Sequence, residues 1–265
     1  MYGDSIMAIR RINCYGWRVD LPDFRDKLYS TEIPDEVQPL DQLPSQVDLR
    51  AKMPPVYDQG AAGSCTAQSI AANVQYIHPG LMPSRLFIYY NERVLEGSQK
   101  EDAGAQIRDG MKTIAKEGVC EEVLWPYDVK KVTRRPSIKC YRQAKKDVVS
   151  QYLRVEGIQE MKSCLAAGYP FVFGFTVYQS FESDTVKRTG IMHLPTASDY
   201  PVGGHAVMAV GYDDVKKVFI IRNSWGKGWG VEGYFYMPYE YITDPNLARD
   251  MWTVRHIAGH PDVIK

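Results

Sequence analysis

Cys65 stands in the stretch GSCTAQS, and apolar residues at Ala67, Ile70, Ala71, Val74 and Ile77 follow it at helical spacing. A thiol at a helix N-terminus lies in the positive end of the helix dipole and near unpaired N–H groups, which favours the nucleophilic thiolate. Cysteine is also among the most buried residue types, so position alone leaves a plain core role as the stronger reading until a base is found. Five histidines offer themselves. His78 falls at the far end of the same helix beside Pro79, His193 in a connection flanked by glycine and proline, and His256 and His260 in a polar tail. His205 alone opens a strong strand, in GGHAVMAVGYDD.

That strand and the next, KVFIIRN, are joined through DDVKK. If they pair antiparallel about a turn centred near Asp214, His205 falls opposite Asn223, and the apolar pattern on both strands resists a slip of register. An amide there can accept the second imidazole N–H and hold one ring orientation, the third part of a nucleophile–base–orienter triad. Gln59, six residues before the thiol, supplies a fourth part. Its amide and the backbone N–H of Cys65 can together hold the oxyanion of a tetrahedral intermediate. Alone, a glutamine before a glycine reads as a turn residue.

These residues must be positioned by two kinds of element. Ser64 is placed as the N-cap of the Cys65 helix. A second helix is expected over 105–117, closed by Gly118, with Ile107, Met111, Ile114 and Ala115 on one side, and a third over 158–167, where Cys164 sits with Met161 and Leu165 as a core residue. Beyond Pro170 the pattern turns to short apolar strands, FVFGFTVY, GHAVMAVGY, KVFIIRN and GYFYMP. Helices in the first half and strands in the second make an α+β protein with segregated halves. Residues 18–44 carry four prolines and little periodicity, which favours an extended segment on a surface.

The formal net charge of zero argues against a nucleic-acid binder. No apolar run approaches the roughly 20 residues of a membrane-spanning helix. The N-terminal stretch lacks the apolar region of a secretory signal, which points to an intracellular protein by default; a leader removed upstream keeps export open. The five cysteines (Cys14, Cys65, Cys120, Cys140, Cys164) are odd in number and do not read as a disulfide scaffold. No His/Cys cluster has zinc-ligand spacing, so no metal is expected.

Taken together, LPSQVDLRAKMPPVYDQG, GSCTAQS, GGHAVMAVGYDD and IRNSWGKGWGVEGYFYM resemble the papain-type cysteine peptidases over most of the chain. The histidine and asparagine follow the cysteine by 140 and 158 residues, close to the family spacing of roughly 130–150. The resemblance implies a two-lobed fold, a helical half over about 60–150 and an antiparallel β-barrel-like half over about 151–256, with the active-site cleft between them. It implies Cys65 as nucleophile, His205 as base and acid, Asn223 as orienter and Gln59 as oxyanion donor, without cofactor. By family position Gly104, Gly174 and Ala206 line a substrate subsite roomy enough for a large apolar side chain. Trp225 borders the site and shields the His205–Asn223 pair from water.

The departures are informative. Ala62 stands where many members have a disulfide cysteine, and Thr66 replaces an aromatic after the nucleophile. Stability must then come from packing, with a Cys120–Cys140 bridge left open. Residues 1–42 are too few for the long helical propeptide of many relatives and resemble the arm of short-prosegment and bacterial members. They are expected to lie along the cleft and block it, ahead of a peptidase domain over 43–265. A weaker idea is a redox-labile Cys14–Cys65 disulfide. The chain is expected to be a monomeric, zymogen-like endopeptidase acting on peptides or proteins, since 96–106 lacks the histidine pair of dipeptide-removing relatives. Transglutaminase-like acyl transfer and a closed binding module are the alternatives.

Overall fold

The computed structural model describes residues 15–260. Period-two burial organises it. In β5 (Phe171–Tyr178) and β6 (Pro201–Asp213), Val172, Ala206, Met208 and Val210 face one hydrophobic cluster, while Phe171, Phe173, Phe175, Val207 and Ala209 face another. Successive side chains of a strand point to opposite faces, so one sheet separates two cores. The first core is shared with α2 (Cys65–Ile77), α3 (Arg85–Leu95) and α4 (Ile107–Lys116); the second holds α6 (Gly157–Ala166).

The sheet runs β4–β9–β5–β6–β7–β8, with β2 (Gln46–Asp48) also pairing to β6. Here β4 is Val149–Arg154, β7 Val218–Arg222, β8 Tyr234–Pro238 and β9 Ala248–Ile257. Its pairings are antiparallel, and the path does not close, so the second half is an open sheet and not a barrel. Short helices complete the chain: α1 (Tyr29–Glu32), α5 (Ile138–Ala144), α7 (Asp184–Thr189) and α8 (Tyr239–Thr243). Two further strands, β1 (Trp17–Arg18) and β3 (Ala105–Gln106), pair parallel with each other.

The expected helices form within two residues of their predicted ends, and Cys164 is fully buried. Ser64 precedes α2 but does not cap it with its side chain: the hydroxyl meets the Tyr127 hydroxyl at 2.6 Å and accepts from Gln68 Nε2. Cys120 and Cys140 are free thiols, so the open disulfide does not form; Cys65 is free too, and Cys14 lies outside the described residues. His256 belongs to β9, central in the sheet, and His260 meets His78 Nε2 through its Nδ1 at 2.7 Å and Asp147 through its Nε2 at 2.8 Å.

Candidate active site

Cys65 is the first residue of α2, where its N–H has no partner within the helix. The α2 start packs against the start of β6, and the backbone N–H of Ala206, the residue after His205, points at the Cys65 sulfur. Cys65 and the residue next to His205 are therefore brought together where the helical half touches the sheet.

His205 Nε2 and Asn223 Oδ1 lie 2.8 Å apart, both residues buried. Asn223 Oδ1 also accepts from the Ser224 N–H at 2.8 Å, which fixes the amide with its oxygen toward the ring. His205 Nε2 must then carry the hydrogen, and neutral Nδ1 keeps a lone pair. Nδ1 is buried and has no hydrogen-bond partner among the described residues.

The route to this contact differs from the expected one. The β6–β7 ladder pairs Met208 with Arg222 and Asp213 with Val218, with an irregularity between Ala209 and Gly211. The hairpin is thus centred one residue beyond Asp214, and Asn223 lies past the end of β7. In register, His205 faces Phe175 of β5, and Trp225 stacks on its ring with centroids 4.7 Å apart and planes at 24°. Asn223 reaches the imidazole from the loop.

Gln59 is held from three sides. Its N–H donates to the Ser224 carbonyl at 2.9 Å, its Oε1 accepts from Ser224 Oγ at 2.7 Å, and its Nε2 donates to the Ala62 carbonyl at 2.9 Å. With Oε1 taken as acceptor, Nε2 carries two hydrogens and uses one on Ala62, leaving a second donor. Ser224 thus turns both amides of the site, a role no local pattern announces. Thr66 is not merely a loss of packing: its hydroxyl donates to Glu92 Oε1 at 2.6 Å, and burial pushes the Glu92 carboxyl up to about 8.

The N-terminal arm runs over these residues. The Gly16 N–H also points at the Cys65 sulfur, and the Gly16 carbonyl accepts from Ala105 N–H at 2.7 Å. A side chain on Gly104 would strike the Gly16 backbone, and one on Gly174 would strike the Trp17 indole. Three of the four expected subsite positions, Gly104, Gly174 and Trp225, touch or face this arm, Trp225 through the Tyr15 ring at 6.3 Å. Ala206 is fully buried beside the sulfur. Burial pushes the Cys65 thiol up to about 12, against the lowering effect of the Ala206, Gly16 and Thr66 N–H groups, and pulls His205 down to about 4 against its bond to Asn223. With the arm in place, burial works against the charged form of both groups.

The arm is fixed by residues that sequence reasoning passed over. Asp250 Oδ2 accepts from Trp17 Nε1 at 3.2 Å and from the Asp20 N–H at 2.8 Å. Arg18 forms an ion pair with Glu96.

Residues 43–252 match the family model described as papain family cysteine protease. A peptidase C1-like protein of Acanthamoeba polyphaga mimivirus is 47% identical over 215 residues, covering 76% of this chain and 69% of the relative. The solved structure of xylellain, a cysteine protease from Xylella fastidiosa, is 43% identical with a TM-score of 0.83, covering 94% of this chain and 98% of that one. Procathepsin B S9 from Trypanosoma congolense, 18% identical with a TM-score of 0.74 over 92% of this chain and 87% of that one, shares the fold.

Proposed function

The chain belongs to the papain family of cysteine proteases and is a thiol hydrolase, and from that premise we propose that Cys65, His205, Asn223 and Gln59 carry out peptide-bond hydrolysis and that the N-terminal arm keeps them latent. The observation that carries this reading is the approach of the residue after His205 to the Cys65 sulfur. The Ala206 N–H is directed at its sulfur, beside an imidazole whose hydrogen is held at Nε2 by Asn223.

In this reading Cys65 gives its proton to His205 Nδ1, and the thiolate attacks the carbonyl carbon of the scissile bond. The second Gln59 Nε2–H and the Cys65 backbone N–H stabilise the oxyanion. The imidazolium protonates the leaving amine as the tetrahedral intermediate collapses to a thioester. His205 then takes a proton from water, which hydrolyses the thioester and restores the thiol. The stacked Trp225 ring keeps water from the His205–Asn223 bond.

The arm is not a substrate in this pose. It presents an N–H to the sulfur, while the Gly16 carbonyl is drawn away to Ala105. Trp17 sits against Gly174, where a substrate's large apolar side chain would lie. Burial works against both the thiolate and the imidazolium, so displacement of the arm favours the reactive ion pair. Acyl transfer and a permanently closed cleft gain no support.

The test uses the 265-residue chain under reductant. Trp17→Ala should cleave peptides far faster than the unaltered chain, and Trp17→Ala with Cys65→Ala should be inactive while folded. Equal rates with and without Trp17 would make the arm a structural element only. Activity surviving the loss of Cys65 would move the nucleophile elsewhere.

A further inference from the structure

Trp17 and Arg18 are consecutive on a strand, so their side chains leave on opposite sides. Trp17 is buried against Gly174 and Asp250, while Arg18 turns to Glu96, at the end of α3. Glu96 is an unusual carboxylate. Its side chain is 4% exposed; its Oε1 accepts from the Gln106 N–H of β3 at 2.6 Å. Its Oε2 is buried without a hydrogen-bond partner among the described residues, and the ion pair with Arg18 is its compensation. Burying a carboxylate without a partner is costly, so this position is built to hold a cation. On the described chain that cation comes from the arm, the segment we have assigned to the cleft.

We propose that Glu96 is a specificity-determining residue that selects a basic side chain of the substrate once the arm has left. The inference rests on the arm reading above. A peptide that adds as a strand to the β3 edge, in either direction, also sends adjacent side chains to opposite sides. One enters the pocket floored by Gly174, and its neighbour farther from the thiol reaches Glu96. The arm passes Gly16 over the sulfur, Trp17 into the pocket and Arg18 onto Glu96, so the order outward from the nucleophile is set. With the pocket taking the second residue on the acyl side of the scissile bond, Glu96 takes the third. The ligand class is an arginine or lysine side chain, with arginine matched to a carboxylate by its two-pronged geometry. Asp109 of α4 adds negative charge near Arg18.

The experiment places Arg18→Glu in the 265-residue chain, which sets a like charge against Glu96 and frees both cleft and carboxylate. Two internally quenched peptides are compared, identical except for Arg or Ala at the third position. The Arg peptide should be preferred about tenfold in kcat/KM, the size of one charge-assisted hydrogen bond. Adding Glu96→Gln, which keeps the acceptor for Gln106, should level the ratio without abolishing cleavage of the Ala peptide. Equal rates on both peptides by an Arg18→Glu chain that cleaves would overturn the Glu96 proposal and leave the arm reading standing. A preference for Arg that survives Glu96→Gln would move the subsite to another acid. Failure of Arg18→Glu to cleave either peptide, with the protein folded and Cys65 accessible to alkylation, would remove both proposals.

Discussion

At the scale of single residues, the site depends on amides whose orientation is not their own choice. Ser224 donates its N–H to Asn223 and its hydroxyl to Gln59, so one residue sets the imidazole tautomer and aims the Gln59 donor. If Gln59 Nε2 meets the developing oxyanion, Gln59→Ala should lower kcat by about a hundredfold with little change in KM, because the bond strengthens only in the transition state. This is measured in a chain already freed by Trp17→Ala, with a melting curve alongside to separate lost catalysis from lost structure. A rise in KM at constant kcat would instead make Gln59 a ground-state contact. The residue types of this site were legible because few local patterns bring Cys, His, Asn and Gln into such company. The contact between His205 and Asn223 was legible too, but by a register the sheet does not use. The turn is centred beyond Asp214, between Val215 and Lys216, which shifts the ladder, and a loop residue restores the meeting. Nothing short-range marks the bond of Ser224 to Gln59, or Asp250 and Glu96 as partners of the arm, since those contacts join residues far apart in the chain.

At the scale of elements, the arm divides in two. Residues 15–20 lie against Cys65, Gly104 and Gly174, whereas 27–38 are built into the body: Tyr29 is fully buried, Glu36 pairs with Arg255 at 2.7 Å, and the Gln38 N–H donates to Ser163 Oγ at 3.0 Å. The boundary expected after residue 42 therefore falls beyond a segment that the core uses. Between the two parts Phe24 is 100% exposed. Brief chymotrypsin treatment should cut after Phe24 first, and activity should rise on dilution, because the cleft strand then competes as a separate molecule. A first cut elsewhere, or a cut without activity, would count against this division. Docking should also depend on pH. Burial, with Asp250 beside it, raises the Asp20 carboxyl to about 6, while Trp252, the Arg108 N–H and the Arg108 charge lower it; Arg154 and Asp26 complete its surroundings. A group raised in the docked state from the usual 3.8 favours docking fully below that value and loses the advantage as pH rises through about 6. Relative to its Asp20→Asn form, a synthetic peptide of residues 15–26 should thus inhibit the Trp17→Ala chain progressively less well as pH rises from 4 to 6, with the deficit levelling off by pH 8. Tighter inhibition by the Asp20 peptide at pH 8 would reverse the sign. The helices and strands nearest the site were readable from periodicity, but α3 and β9 were not. RLFIYY carries aromatics on several sides because α3 is wrapped by neighbours, and RDMWTVRH in β9 carries charges paired from elsewhere in the fold, Asp250 with Arg154 of β4 and Arg255 with Glu36 of the arm.

At the scale of the whole molecule, one sheet with different apolar faces joins the halves, so the cleft is held by packing across it. Most large side chains of β5 and β6 are fully buried, and the described cysteines, Cys65, Cys120, Cys140 and Cys164, are free. The segregation of helices and strands was legible because alternation and helical spacing are local properties. The open sheet was not, because strand order depends on which distant edges meet, and β9 returns from the far end of the chain to lie between β4 and β5. Relatives that rely on disulfides gain roughly 2–4 kcal/mol from each bridge, chiefly by restricting the unfolded chain. Here the corresponding stabilisation must come from burial, which reductant does not touch. The melting temperature of the Cys65→Ala chain, which cannot digest itself, should therefore be the same with and without a strong thiol reductant. A loss of about 2 kcal/mol would lower the melting temperature of a chain this long by roughly 4–8 °C. A drop of that size would require a bridge, with Cys120 and Cys140 as neighbouring thiols the first pair to replace by serine. An unchanged value would leave the two packed faces of the sheet as the source of stability and the thiol of Cys65 free for chemistry.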